Sequence, residues 1–301
     1  MKGSTMSTSR RGRRTALLSA LTVPVVALLL GASTEATAAP AASPLSASEI
    51  NAVNADIQAN NHTMGSQIRR VEGDQSTPGT KAAAQQPQPA AALPNQVAAT
   101  VAGMDVASYQ GNVDWGNWWG QGKRFVWTKA TESTNYTNPY FAQQYNGSYN
   151  QGFIRGAYHF ATPNTSSGAA QATYFVAHGG GWSRDGKTLP GALDMEYNPY
   201  GATCYGLSKS AMTAWIKDFH DTYHAKTGRW PVIYTSTNWW NQCVDGDFSS
   251  TAPLWVARYA SSAGTLPYNW GYYTVWQYTS SPLDQDTFNG AYDRLQALAN
   301  G

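Results

Sequence analysis

Residues 191–197, Gly-Ala-Leu-Asp-Met-Glu-Tyr, continue as Asn-Pro-Tyr-Gly to position 201 and set two carboxylates two positions apart in an otherwise apolar run. Alternate residues of a strand share a face, so Asp194 and Glu196 project to the same side. Burying such a pair without a task costs several kcal/mol per charge. Working outward, beta-like runs recur as GMDVAS (103–108), FVWTKAT (125–131), IRGAYHFA (154–161), PVIYTS (231–236), PLWVARY (253–259) and YTVWQYT (273–279). Helical segments separate several of them. The clearest spans 208–227, with Met212, Trp215, Ile216, Phe219 and Tyr223 on one face and Gly228 as the stop. Strands alternating with helices predict an α/β chain with a parallel sheet closed into a TIM-like (β/α) barrel. The last strands follow too closely for full helices, so the barrel is expected to be irregular there. Chemistry in such barrels collects at the C-terminal strand ends. Asp194 and Glu196 end one strand, Asp105 lies near the end of the first and Asp284 follows the last, so four acids distant in sequence can meet at one mouth.

The 301-residue chain divides by composition. Arg10, Arg11, Arg13 and Arg14, the apolar run TALLSALTVPVVALLLGA and the site Ala36-Thr37-Ala38 read as a secretory signal peptide over 1–38. The rival reading, a membrane anchor, is disfavoured by Pro24 and the short apolar run. Residues 39–95 read as a pro-segment or spacer. A polar helical stretch, with a Ser46/Glu49 capping box and Ile50, Val53 and Ile57 on one face, leads into a Pro/Gln/Ala-rich linker. All 12 Trp and all 18 Tyr fall after residue 100, which marks 96–301 as the folded domain. From residue 95 onward 12 Lys+Arg face 13 Asp+Glu, so no basic stripe exists for nucleic acid. Cys204 and Cys243 are the only cysteines; in an exported chain they form one disulfide, worth about 3–4 kcal/mol on the loop-entropy argument. The expected product is a secreted, extracellular, monomeric protein.

Paired acids, one held protonated by its neighbour, are the usual equipment for cleaving a glycosidic bond. Aromatic rings around the cleft suit the C–H faces of sugars. Tyr158, Tyr197, Tyr234 and Trp276, with Lys129, are the candidate substrate-binding side chains. A structural ion-pair network with Lys129 or Arg258, or a divalent-metal site, is the bland alternative for the acid pair. His220 and His224 have metal-like spacing, but the Glu of a zinc protease motif is absent and they read as a solvated face. His159 reads equally as a core or a cleft residue. No Gly-x-Ser-x-Gly elbow, phosphate loop or cysteine nucleophile pattern appears, and no cofactor or metal is expected.

Taken in order, GMDVASYQG, FVWTKATESTNYTNPYF, GAYHFA, GALDMEY, PLWVARY and VWQYTSS resemble the successive motifs of secreted lysozymes of glycoside hydrolase family 25, the Chalaropsis type found in actinobacteria. The resemblance covers about residue 100 to 301. It implies a modified barrel with fewer helices than a full eight-fold one. It also implies hydrolysis of the β-1,4 bond between N-acetylmuramic acid and N-acetylglucosamine in peptidoglycan. By position, Glu196 resembles the catalytic acid, and Asp194, Asp105 and Asp284 its acidic partners, with Asp286 as fallback for Asp284. Ala107 and Ser108 depart from the usual Ser-His of the opening motif, and residues 39–95 have no counterpart. A chitinase-like reading is weakened by Leu189 and Ala192, which stand where that motif has Asp. A non-catalytic sugar-binding module is the rival from another class.

Overall fold

The apolar runs close into a ring. The computed structural model describes residues 45–60, 62–73 and 99–301; the expected signal peptide and the whole Pro/Gln/Ala-rich linker lie outside the described residues. Strands β1 (Val101–Val106), β2 (Phe125–Glu132), β4 (Ile154–Phe160), β5 (Ala192–Asp194), β6 (Val232–Thr235), β7 (Leu254–Ala257) and β8 (Val275–Thr279) run parallel. A final strand, β9 (Gln285–Phe288), lies antiparallel between β8 and β1, and pairing of β1 with β2 closes an eight-stranded barrel. A two-residue strand, β3 (Tyr136–Thr137), extends the edge of β2.

Register decides what fills the ring, because paired residues on neighbouring strands point to the same side. In the lower barrel large rings face glycines: Gly103 pairs with Phe125, and Trp127 with Gly156. A Cβ on Gly103 would stand 2.3 Å from the Phe125 ring, and one on Gly156 2.4 Å from that of Trp127, so both positions must lack a side chain. Above this layer the same inward parity carries Asp105, Lys129, Tyr158, Asp194, Tyr234 and Gln277. Fold and site therefore share one periodicity.

Helices pack outside: α3 (Trp115–Gly120), α4 (Phe141–Gln151), α5 (Gly168–Phe175), α6 (Lys209–Thr227), α7 (Thr237–Cys243) and α8 (Tyr292–Asn300). The expected long helix is α6: Ser208 Oγ caps it by accepting from Ala211 N–H at 3.2 Å, and Gly228 ends it in the left-handed region at φ 72°. Neither the β7–β8 nor the β8–β9 connection contains a helix, the irregularity expected from the crowded late strands. Strand β9 itself went unforeseen. QDTF is short and polar; only its alternation, Asp286 and Phe288 inward, marks it as a strand.

Two histidine readings resolve. His159 is a core residue on the outer face of β4, bonded to Thr131 and Gln171 and stacked on Phe219. Burial pushes its pKa down to about 4. His220 corrects the solvated-face expectation: it is buried, stacked on Trp230 and bonded to Thr251, because α6 lays this position against the β6 entry. No metal-holding cluster exists among the described residues.

Ahead of the barrel, α1 (Ala47–Asn60) carries the expected capping box, with Ser46 N–H donating to Glu49 Oε2 at 2.8 Å and Glu49 N–H to Ser46 Oγ at 3.3 Å. A turn leads into α2 (Ser66–Glu72). This segment is no separate spacer. It packs in one compact unit with the barrel, burying Ile57, Met64 and Ile68.

Cys204 and Cys243 are bonded, tying the loop after β5 to the end of α7 across 39 positions. A closed loop of that size removes about 4 kcal/mol of denatured-state entropy. Replacing both cysteines by serine should lower the unfolding free energy by that order in urea denaturation, with a steeper slope because the uncross-linked denatured state exposes more surface.

Candidate active site

The barrel's C-terminal mouth gathers carboxyl groups with few donors to share. Asp194 ends β5 and is fully buried, and neither of its oxygens meets a hydrogen-bond donor. Burial first, then the neighbouring Glu196 carboxyl, push its pKa well above the ordinary range. Glu196 follows two residues later, where Met195 N–H, donating to the Tyr234 carbonyl at 2.9 Å, prolongs the β5–β6 ladder. Burial raises Glu196 to about 8, although three backbone N–H groups pull the other way. Asp105, at the end of β1, accepts from Gln277 Nε2 at 2.6 Å; burial, with Asp284 and Asp286 nearby, raises it well above the usual value.

The alternatives at 284 and 286 separate cleanly. Asp284 borders the open cleft, and burial lifts it to about 7 against the lowering influence of Arg69. Asp286 lies deeper, accepting from Trp255 Nε1 at 3.0 Å within the barrel.

Of the expected binding side chains, Tyr158, Tyr197, Tyr234 and Lys129 reach the mouth. Tyr158 and Tyr234 stand on the inward faces of β4 and β6, and Tyr197 follows Glu196. Trp276 does not join them: it pairs with Val256 and Thr287 on the outward face of β8, where its indole N–H donates to the Arg258 carbonyl at 2.8 Å. The alternation of β8 gives the inward place to Gln277 instead.

Lys129 does not pair with the Asp-x-Glu motif either. Its ammonium lies 2.5 Å from Glu132, a fully buried carboxylate. Burial would raise Glu132, but Lys129 and His62 prevail and hold it near 2. Sequence reading missed three mouth residues. Glu132 was masked as part of a strand motif. Gln277 accepts from Tyr234 at 2.6 Å and Tyr259 at 2.7 Å while donating to Asp105, so it transmits two hydroxyls to a carboxyl. Tyr259 follows β7 and looked like one aromatic among many.

An unexpected backbone lies over these groups. Gly65 N–H donates to Glu196 Oε1 at 2.7 Å, and the N–H groups of Gln67 and Ile68 donate to Oε2 at 2.8 and 3.0 Å. Cavities of about 550 and 400 Å³ remain on either side, one against Tyr109 and Asp284, the other against Tyr197, Asn238 and Arg258.

Raised acids fix the sign of a pH effect. Glu196 at about 8, Asp284 at about 7, and Asp105, Asp194 and Asp286 higher than usual all bind protons more tightly folded than unfolded. Folding then takes up protons, and stability falls as pH rises through the folded values. His159 opposes this only below its ordinary value of 6.5, and Glu132 only below 4.5. Between about pH 6.5 and 8.5 the urea midpoint should therefore fall. A flat or rising midpoint would show that the mouth acids are ionised throughout.

The family model Glycosyl hydrolases family 25 matches residues 104–287. Lysozyme M1 of Streptomyces globisporus is 49% identical over 210 residues, 66% of this chain and 71% of that one. The N,O-diacetylmuramidase of Chalaropsis sp is 50% identical over 211 residues, 67% of this chain and all of that one. Among solved structures, the muramidase from Acremonium alcalophilum superposes with a TM-score of 0.66 at 58% identity, covering 67% of this chain and 99% of that one. Matching motif order, the eight-stranded ring and the acids at its C-terminal mouth agree, and the chain belongs to glycosyl hydrolase family 25.

Proposed function

We propose that the chain is a secreted muramidase that hydrolyses the β-1,4 bond between N-acetylmuramic acid and N-acetylglucosamine in peptidoglycan, with Glu196 as general acid and base. The observation that carries this reading is the Asp194–Glu196 carboxyl pair at the C-terminal end of β5, at the mouth of a family 25 barrel. Its named relatives include lysozymes and N,O-diacetylmuramidases. The signal-like residues 1–38 support export, and no described helix is long and apolar enough to cross a membrane. We assign the catalytic domain to 96–301, around the matched span.

In the proposed cycle Glu196 gives its proton to the glycosidic oxygen as the C1–O bond breaks. The substrate's own 2-acetamido oxygen attacks C1 from the opposite face. Water then opens the resulting ring intermediate, losing a proton to the Glu196 carboxylate. Asp194 shares the Glu196 face, which disfavours it as a nucleophile on the far side. It suits the task of accepting from the acetamido N–H and sustaining the proton affinity of Glu196. Asp284 and Asp105, carboxyls pushed upward by burial, are proposed to hydrogen-bond the reacting sugar and its water. Tyr158, Tyr197, Tyr234 and Lys129 are proposed to hold the glycan.

Glu196→Gln should preserve the fold and lower wall hydrolysis by about 10²–10⁴-fold, because an amide has no acidic proton to give. Wild-type-like clearing of bacterial walls by the folded variant would remove Glu196 from this role. Mass spectrometry of protein incubated with a slow fluorosugar substrate should find no glycosyl adduct. An adduct on Asp105, Asp194 or Asp284 would instead establish a carboxylate nucleophile.

A further inference from the structure

We propose that residues 45–73 are an autoinhibitory segment that fills the cleft and withholds Glu196 from substrate, so that the chain carries its own regulator. The proposal rests on the muramidase reading of that cleft. The described residues of the segment cross the mouth as a strap bonded from Gln58 to Glu72. Gln58 Nε2 donates to the Asn135 carbonyl at 2.8 Å, and Tyr109 donates to that of Asn60 at 2.6 Å. At its centre His62 N–H reaches Glu132 at 3.0 Å, Met64 N–H reaches Tyr158 at 3.2 Å, and Tyr259 donates to the Gly65 carbonyl at 3.1 Å. At its end the Glu72 carboxylate accepts from Tyr197 at 2.9 Å, Ser236 at 2.5 Å and Asn238 at 3.0 Å. Tyr158, Tyr197, Glu196 and Lys129, which donates to the His62 carbonyl, thus already bond to this one segment.

The strap blocks chemistry as well as space. All three N–H groups on Glu196 are donors, and together they occupy both of its oxygens. With both oxygens engaged by the strap, neither is free to aim a proton at a leaving oxygen, as the first catalytic step needs. The fit is specific to one residue. Gly65 turns in the left-handed region at φ 74°, and a Cβ there would lie 1.8 Å from the Tyr259 hydroxyl and 2.6 Å from Gln277 and Tyr234. No other residue lets the backbone come so close to the acid. A relative that this chain covers over its whole length matches 67% of this chain, and the family match begins at residue 104, after the strap.

Tethering keeps the inhibitor at high local concentration, so release follows from severing the tether or loosening the fit. The test uses the full chain. Gly65→Val, and independently Glu72→Lys, should each raise the rate of wall hydrolysis at least ~10-fold over wild type, and a synthetic 45–73 peptide added in trans should reverse the gain. Rates within twofold of wild type in a folded variant would overturn the proposal; if Gly65→Val fails to fold, Glu72→Lys decides alone. If no form hydrolyses walls, the activity reading falls, and occlusion is read from binding of an alternating GlcNAc–MurNAc tetrasaccharide by calorimetry. At least ~10-fold tighter binding to the variants than to wild type supports the strap, and equal binding overturns it.

Discussion

Burial of several carboxyls in one space, with their mutual repulsion added to it, is the constraint on which the rest of the mouth depends. Closure of eight strands sends every second residue inward, and the parity of β1, β5 and β9 makes Asp105, Asp194 and Asp286 inward residues. Glu196 and Asp284 border the same space from adjoining loops. Among the described residues the fully buried Lys129 is committed to Glu132 and holds it low, while burial pushes the other mouth acids upward. Separating a neutralised acid from a crowd of unneutralised ones is how a single site obtains a proton donor near neutral pH.

The polar frame around the acids meets the same constraint with neutral donors. Gln277 relays Tyr234 and Tyr259 onto Asp105, and Trp255 supplies Asp286. Asp194 receives nothing from the frame, which leaves its oxygens for a neighbour's proton or a substrate's N–H. Glu196 is served from outside the barrel, by the backbone of residues 65–68. Among the described residues, the N–H donors to Glu196 all come from this one segment, so its proton affinity depends on that contact.

What the sequence made legible follows from period and position. The inward acids, Tyr158 and Tyr234 obeyed strand alternation next to strong apolar runs, so fold class and the acid set could be read together. Trp276 failed because one step along β8 exchanges inside for outside, and nothing in VWQYT favours tryptophan over glutamine at the inward place. Strand β9 was hidden by its polarity, and Gln277 and Glu132 by residue types that usually face solvent. The strap was seen as a capped helix, but its target was not, because a backbone N–H leaves no mark in the side-chain sequence. Only Gly65, a lone glycine at the start of a helical run, hinted at a close approach.

The central claim, that the mouth holds Glu196 protonated near neutral pH, is tested most directly by 13C NMR titration of its side-chain carboxyl, assigned by comparison with Glu196→Gln. The account predicts a midpoint near 8, far above the ordinary 4.5 of a glutamate. A midpoint at or below 4.5 would mean that the three backbone donors outweigh burial and crowding, and it would contradict the account.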